Sequence, residues 1–208
     1  LLCIQKDIAQ PVMEMLKGAL ACLKLGHPMA IDTDVGPLID EESYAKLTTH
    51  KHNLSGFGKE IGTATIDSGL TEKGYYFAPC AYEIDSVDAL DEEFFGPVLH
   101  VVSYERQKLD ELIEDINKKG YGLTFGLHSR IDMTQHQVAK RINTGNIYVN
   151  RTMIGAVVGS QPFGGHGLSG TGPKAGGPNY LQRFAQEKVI SIDTTATGGN
   201  TSLVSLEG

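Results

Sequence analysis

The sequence predicts an α/β fold, with a mainly parallel sheet and flanking helices, from three observations. The chain has 208 residues, of which 40% are hydrophobic and 21% charged, which is typical of a globular protein that buries a core. Apolar residues recur at helical spacing in some segments and at every second position in others. These two kinds of segment alternate along the chain, an order that favours parallel strands joined by helices.

The first part of the chain is predicted to hold a strand and two helices. Residues 1–5 form an apolar, strand-like run, and residues 6–25 carry apolar side chains at helical spacing. Pro11 is expected in the first turn of that helix, where its missing N–H costs little. A second helix is predicted over residues 41–53, with Asp40 as its N-cap.

From Gly62 onward the apolar period changes to two, and predicted strands alternate with helices. The predicted strands cover residues 63–67, 75–84, 98–104, 123–128, 146–150 and 189–192. The predicted helices cover residues 108–118, 134–142 and 179–186, and Asp132 is the expected cap of the second of them. The Thr/Ser/Gly-rich tail from residue 193 is expected to be extended.

Charge and apolar patterning argue against several classes of protein. The 18 basic and 25 acidic residues give a net charge of −7, and the basic residues form no run. This argues against a nucleic-acid surface and against a polybasic membrane anchor. No apolar stretch approaches the ~20 residues that a membrane-spanning helix needs. We therefore expect neither nucleic-acid binding nor a membrane span from this segment.

The cysteines and the first residues bear on compartment and completeness. Cys3, Cys22 and Cys80 are isolated and show no CxxC spacing, so a disulfide framework is not expected and a reducing cytoplasm is favoured. Each is interpreted as a small buried hydrophobe rather than a nucleophile. No Cys/His cluster has metal-ligand spacing, so no metal site is predicted. The chain starts at Leu1, inside a strand and without a signal-peptide pattern, so we expect it to be part of a longer protein.

Two loops are candidates for a functional site. Residues 155–177 hold nine glycines in 23 positions; either the amides around Gly155 and Ala156 bind an anion, or the glycines serve tight packing. Residues 165–170 fit GxGxxG, but no strand directly precedes them, so a dinucleotide-binding turn is not predicted. Residues 91–97 place three acids before two phenylalanines. They form either a solvated turn or a site in which a Glu and a Phe bracket a cofactor ribose.

Motifs in the chain resemble those of the aldehyde dehydrogenase superfamily. EEFFGPV at residues 92–98 is similar to the family's EEIFGPV, and TGNIYVN at 144–150 and PFGGHGLSG at 162–170 resemble its later motifs, in the right order. More narrowly, IGAVVGSQPFGG at 154–165, GTGPKAGGP at 170–178 and TTATGGN at 194–200 resemble the L-glutamate γ-semialdehyde dehydrogenase domain of the bacterial proline utilization A family. The resemblance covers essentially the whole chain.

The resemblance implies a three-layer catalytic domain over residues 1–187, and an oligomerisation strand and tail over 188–208 that make a homo-oligomer. It implies a cytoplasmic, NAD-dependent enzyme of proline catabolism that oxidises L-glutamate γ-semialdehyde to L-glutamate. The family's nucleophilic Cys is expected just before Leu1, with the general base and the NAD domain further upstream. The isolated chain is therefore expected to be inactive and to contain no catalytic residue. FAD is expected only in a fused proline dehydrogenase domain outside the chain.

The resemblance also assigns candidate binding residues. Glu93 matches the residue that binds nicotinamide ribose hydroxyls, and Phe95 the aromatic beside the nicotinamide. Gly155 and Ala156 match the loop that holds the substrate α-carboxylate, and Phe163 an aromatic that packs on the aliphatic part of the substrate. Two alternatives stay open: a dehydrogenase for another aldehyde, such as a neutral one, and an assembly module that extends a partner's sheet.

Ser160 and His166 depart from the family's usual residues at their positions. His166 is the one histidine that the sequence places in a candidate site, and an exposed, inert side chain is the other interpretation. No role is assigned to either residue.

Overall fold

The computed structural model describes residues 1–193, in which strands and helices alternate as predicted. The helices are α1 (Lys6–Cys22), α2 (Glu41–Phe57), α3 (Ser68–Thr71), α4 (Leu109–Lys118) and α5 (Asp132–Arg141). Short 3₁₀ helices cover Val87–Ala89, Arg106–Lys108 and Leu181–Phe184. The strands are β1 (Leu2–Gln5), β2 (Lys59–Thr63), β3 (Cys80–Ile84), β4 (Val98–Tyr104), β5 (Tyr121–Gly122), β6 (Thr124–Leu127), β7 (Asn146–Val149) and β8 (His166–Gly167).

The chain divides into two compact units. The first contains residues 1–121 and 129–143, and the second contains residues 122–128 and, of the described chain, residues 144–193. The TTATGGN motif at residues 194–200 and most of the predicted tail lie outside the described residues.

The first unit is built on a four-stranded sheet with the order β1-β4-β3-β2. β4 pairs in parallel with both β1 and β3, and β2 pairs antiparallel with β3. In the second unit β6 and β7 form a parallel pair, and β5 and β8 form a separate two-stranded ladder. The expectation of mainly parallel pairing is therefore confirmed, with β2 as an antiparallel edge.

Helices cover both faces of the four-stranded sheet. Adjacent residues of a strand point to opposite faces, and in β4 both Val101 and Val102 are buried. Val101 packs with Met13 of α1, whereas Val102 belongs to a core that includes Leu47 of α2 and Leu112 of α4. α1 therefore lies on one face, and α2 and α4 lie on the other.

Helix ends follow the sequence in part. Asp40 caps α2 as predicted, since its Oδ1 accepts a hydrogen bond from the Ser43 N–H at 2.8 Å. Asp132 is not a cap: Ile131 holds the N-cap position of α5, and Asp132 is the first helical residue. Pro11 is the sixth residue of α1 rather than a first-turn residue, because the helix begins directly after β1. No helix among residues 1–193 is long and apolar enough to cross a bilayer.

Three predicted strands and one predicted helix differ from the structure. The strand expected at residues 63–67 lies earlier, at β2, and the one expected at 75–84 is shortened to β3. Residues 179–186 hold one 3₁₀ helix in place of an α-helix. Residues 189–192 form no strand within the described chain, because they pair with no neighbouring strand there.

Candidate functional site

Two side chains anchor the acidic–aromatic segment, residues 91–97, to the first unit. Glu92 Oε2 accepts a hydrogen bond from Lys46 Nζ at 2.6 Å. The ring of Phe94 is partly buried against the core and stacks on His50, with ring centroids 3.5 Å apart and planes 14° apart. The even-numbered residues of the segment therefore attach it to helix α2.

Two other residues of the same segment, Glu93 and Phe95, face solvent. Glu93 is exposed, and Phe95 keeps 80% of its surface accessible although it is a large apolar side chain. An exposed carboxylate and an exposed aromatic ring two positions apart form a hydrogen-bond acceptor beside an apolar face. These are the groups that a ribose with an attached heteroaromatic ring requires.

Gly96 lets the segment pass directly over helix α2. A Cβ at this position would lie 2.1 Å from Leu47 Cδ1 and within 3.1 Å of two further Leu47 atoms. Leu47 is 1% exposed and has no room to withdraw. Residue 96 must therefore lack a side chain if the segment is to stay close to the core.

A buried histidine pair lies beneath the segment. His50 of α2 and His100 of β4 are 5% and 7% exposed, and their Nε2 atoms are 2.8 Å apart. One nitrogen donates and the other accepts, so the pair is held as two neutral rings. Burial, a positive charge on His50 and the Leu1 amino group lower the pKa of His100 to about 4. Burial likewise lowers the pKa of His50.

The sequence did not single out this pair. His50 lies at helical spacing between Leu47 and Leu54, both of which belong to the core. The apolar pattern of α2 therefore continues through a histidine, and this is the signal that marks His50 as buried.

In the second unit, strand β7 fastens the glycine-rich loop. The Tyr148 hydroxyl donates a hydrogen bond to the Gly155 carbonyl oxygen at 3.1 Å. Asn146 Nδ2 donates to the Pro162 carbonyl oxygen at 3.0 Å. Side chains from alternate positions of one strand therefore hold the loop at two points.

Lys174 closes the loop from its far end. Its Nζ donates to Asn146 Oδ1 at 3.0 Å, to the Gly164 carbonyl oxygen at 3.1 Å, and to the Gly145 carbonyl oxygen. Nearby, Phe163 and Ala175 exchange backbone hydrogen bonds of 3.0 and 2.8 Å. The loop is thus a closed, internally bonded structure although it contains little regular secondary structure.

The structure places the predicted substrate residues together in this loop. Gly155 and Ala156 are exposed, and Phe163 is half-buried. Gly155 has φ = +89°, a conformation that favours glycine. Within residues 1–193 the backbone N–H groups of Gly155 and Ala156 donate to no protein group. Two exposed, unused N–H donors on a fastened loop can bind an anion.

The five predicted binding residues thus fall into two groups. Glu93 and Phe95 belong to the first unit, and Gly155, Ala156 and Phe163 to the second.

Ser160 and His166 are both exposed, and nothing in their surroundings gives them a role. No α-helix follows residues 165–170 in the described chain. A dinucleotide-binding turn, by contrast, leads directly into a helix.

The cysteines lack the features of an activated nucleophile. Burial raises the pKa of both Cys3 and Cys80 to about 11, so each is a neutral thiol at neutral pH. Cys22 is an exposed free thiol, so the interpretation of each cysteine as a buried side chain is wrong for Cys22. Among residues 1–193, no group of three or more His, Cys, Asp or Glu side chains is arranged to hold a metal ion.

Comparison with known proteins identifies a family. A model of the aldehyde dehydrogenase family matches residues 1–190. The chain is 48% identical to bifunctional protein PutA of Salmonella typhimurium, covering 94% of this chain and 15% of that protein. It is 34% identical to 1-pyrroline-5-carboxylate dehydrogenase of Bacillus subtilis, covering 90% of this chain and 36% of that protein. The chain therefore spans about a seventh to a third of the length of these curated relatives.

Solved structures agree with the sequence comparison. A mutant of proline utilization A from Bradyrhizobium japonicum superposes with a TM-score of 0.84 at 46% identity, over 94% of this chain and 20% of that one. The 1-pyrroline-5-carboxylate dehydrogenase from Thermus, solved with bound NAD, superposes with a TM-score of 0.77 at 31% identity, over 88% of this chain and 34% of that one.

Proposed function

Because the chain belongs to the aldehyde dehydrogenase family, we propose that it forms part of an NAD-dependent dehydrogenase domain that oxidises L-glutamate γ-semialdehyde to L-glutamate. The relatives named 1-pyrroline-5-carboxylate dehydrogenase support this substrate. Hydrolysis opens the ring of 1-pyrroline-5-carboxylate and gives the semialdehyde. The observation that carries the proposal is the fastened loop with the exposed N–H groups of Gly155 and Ala156.

The substrate differs from a neutral aldehyde by its α-carboxylate, and the loop supplies donors for that group. Hydrogen bonds from backbone N–H groups to a carboxylate are charge-assisted and therefore stronger than neutral ones. Phe163 is half-buried in the same loop and offers an apolar surface to the methylene carbons of the substrate. Binding of the carboxylate and of the methylene carbons would together orient the substrate chain, and with it the aldehyde carbon.

Glu93 and Phe95 fit NAD. The Glu93 carboxylate would accept hydrogen bonds from the ribose hydroxyls, and the Phe95 ring would pack beside the nicotinamide. Both side chains are exposed on a segment that Glu92 and Phe94 hold in place, so the acceptor and the ring are preorganised. When bound, NAD supplies the hydride acceptor.

The nucleophile is proposed to come from outside this chain. The buried thiols of Cys3 and Cys80, with pKa values of about 11, are poorly suited to attack an aldehyde. The resemblance to the family supports a nucleophilic Cys upstream of Leu1. We therefore expect the isolated 208-residue chain to form no NADH from the semialdehyde.

The carboxylate site is tested in the full-length protein with Ala156→Pro, which removes one N–H. Loss of a charge-assisted hydrogen bond of about 1.5–3 kcal/mol raises the KM for glutamate semialdehyde by roughly 10- to 100-fold. The KM for propanal, which has no carboxylate, stays unchanged. Steady-state NADH formation measures both, with the isolated chain as the inactive comparison.

Ala156→Gly is the control, since it changes the same side chain, by removing its methyl group, but keeps the N–H that Ala156→Pro removes. An unchanged semialdehyde KM in Ala156→Pro would favour the alternative, a dehydrogenase for another aldehyde. NADH formation by the isolated chain would show that the nucleophile lies within it.

A second proposed role is assembly through the end of the chain. Val189, Ile190 and Ile192 are 83%, 70% and 75% exposed in a segment without regular secondary structure. Such a segment is suited to add a strand to the sheet of another copy. Light scattering of the full-length protein, with and without residues 188–208, is expected to show a lower mass for the truncated form. Equal masses would contradict this role.

A further inference from the structure

The hydroxyl of Tyr148 reaches from a buried position to the candidate carboxylate site. The Tyr148 residue is 5% exposed, in strand β7, and its hydroxyl donates to the Gly155 carbonyl oxygen at 3.1 Å. Residues 151–160 are all exposed, so packing contributes little to holding the backbone there. This hydrogen bond is the direct tie between residues 155–156 and the rest of the second unit within the described chain.

The geometry of a trans peptide connects this bond to the substrate. The described chain contains no cis peptide bond, and in a trans peptide the C=O and the following N–H point in opposite directions. Tyr148 holds the Gly155 carbonyl toward the buried strand. The N–H of Ala156, in the same peptide unit, is therefore directed away from the strand, on the exposed side of the loop.

The same bond also strengthens the donor. A hydrogen bond to the carbonyl oxygen polarises the amide, so that the N–H of that peptide becomes a better donor to an anion. Gly155 gives the loop wide backbone freedom, at φ = +89° and with no atom within 4 Å of a Cβ built on it. Without the tie, the peptide would be free to rotate its N–H away from the carboxylate.

We propose that Tyr148 is a positioning residue for the substrate α-carboxylate, because its hydroxyl fixes the peptide between Gly155 and Ala156 with the N–H directed at the ligand. The inference rests on the proposed function, since it requires the Ala156 N–H to bind that carboxylate. Tyr148 itself contacts no reacting atom in this scheme.

Tyr148→Phe in the full-length protein is the direct test. The change removes only the hydroxyl and keeps the buried ring, which also lies 5.0 Å from the Arg151 guanidinium. The KM for glutamate semialdehyde and the dissociation constant for the product L-glutamate, measured by calorimetry, are expected to rise about 3- to 10-fold. The values of kcat, of the KM for NAD and of the KM for propanal are expected to stay near wild type.

Tyr121→Phe is the control, because that tyrosine is 40% exposed and its hydroxyl makes no hydrogen bond in the described chain. A double-mutant cycle with Ala156→Pro sharpens the test. When the Ala156 N–H is already absent, the Tyr148 hydroxyl has no N–H left to position, so its removal should have no further effect. The semialdehyde KM of the double variant should therefore equal that of Ala156→Pro alone.

The outcomes separate this inference from the proposed function. Equal losses with the semialdehyde and with propanal, or additive losses in the cycle, would show a merely structural role and overturn the inference. If the wild type is active and Tyr148→Phe has the same semialdehyde KM and glutamate dissociation constant, the inference is overturned while the proposed function stands. If the wild type does not oxidise the semialdehyde, the proposed function fails. In that case the affinity for L-glutamate tests the inference. Weaker glutamate binding by Tyr148→Phe than by the wild type supports it, and equal binding by the two proteins, or no binding by either, refutes it.

Discussion

At the scale of single residues, neighbours in one motif have different surroundings. Glu92 and Glu93 are both exposed, but Glu92 pairs with a lysine, and Phe94 stacks on a histidine while Phe95 projects into solvent. Identical side chains at adjacent positions therefore differ in what a substitution does. Changes at 92 and 94 loosen the segment, whereas changes at 93 and 95 alter only what the segment presents to a ligand.

Glu93→Gln in the full-length protein is expected to weaken NAD binding specifically. A neutral amide replaces the carboxylate that accepts from the ribose hydroxyls, and the lost charge assistance raises the KM for NAD about 5- to 10-fold. The KM for glutamate semialdehyde stays unchanged. Asp91→Asn, an exposed acid in the same segment, is the control. Equal effects of the two substitutions on the NAD KM would refute the assigned role.

The sequence predicted site residues where motifs carry them, and missed those that depend on tertiary contact. Glu93, Phe95, Gly155, Ala156 and Phe163 come from motif resemblance, and their binding roles remain predictions. The interaction of Tyr148 with Gly155 spans seven positions, but that of Lys174 with Asn146 spans 28, and no local pattern reveals it. The spacing of apolar residues predicts which face of a helix or strand is buried, but it does not predict the hydrogen-bond partners of polar side chains.

At the scale of elements, the approach of segment 91–97 to α2 makes two glycines respond oppositely to alanine. A Cβ on Gly96 would collide with Leu47, whereas a Cβ on Gly18, in the exposed middle of α1, would meet nothing within 4 Å. Gly96→Ala is expected to lower the free energy of unfolding by about 1–3 kcal/mol through overpacking. Gly18→Ala is expected to raise it by about 0.5–1 kcal/mol through helix propensity.

Urea denaturation of the chain, followed by circular dichroism, measures both changes. A stabilising Gly96→Ala would show that the segment does not rest on Leu47. A destabilising Gly18→Ala would contradict the exposure of that face of α1.

The elements that the sequence predicted well are those whose pattern is continuous. β4 is predicted residue for residue because a β-branched, apolar run is bounded by a Gly-Pro turn and a charged turn. α2 extends to Phe57, beyond the predicted residue 53, because its core face continues to Leu54. The helix predicted at residues 179–186 is reduced to a 3₁₀ turn beside a loop whose shape is set by hydrogen bonds rather than by propensity.

At the scale of the whole molecule, the histidine pair makes stability depend on pH. The pKa of His100 is about 4 in the fold, against an ordinary value of 6.5. Between these values the unfolded chain binds a proton that the folded chain does not. Stability is therefore full above pH 6.5 and falls as the pH decreases toward 4, by on the order of 3 kcal/mol.

Unfolding free energies at pH 7 and pH 4.5 are expected to differ less in His100→Gln than in the wild type. Glu92 and Lys46 face His50, so the comparison is made at one salt concentration. His52→Gln, which changes an exposed histidine of the same helix, should keep the full pH dependence. If His100→Gln shows the same difference in unfolding free energy between pH 7 and pH 4.5 as the wild type, other titrating groups cause the pH dependence.

The closed loop of the second unit has a consequence for chemical reactivity. The three bonds of Lys174 engage all the N–H groups of its ammonium, whereas Lys188 is exposed in a segment without regular secondary structure. An acylating reagent can therefore label Lys174 only while those bonds are broken. The labelling rate of Lys174 relative to Lys188 thus reports how often the loop opens, and a bound carboxylate that holds the loop would slow that rate.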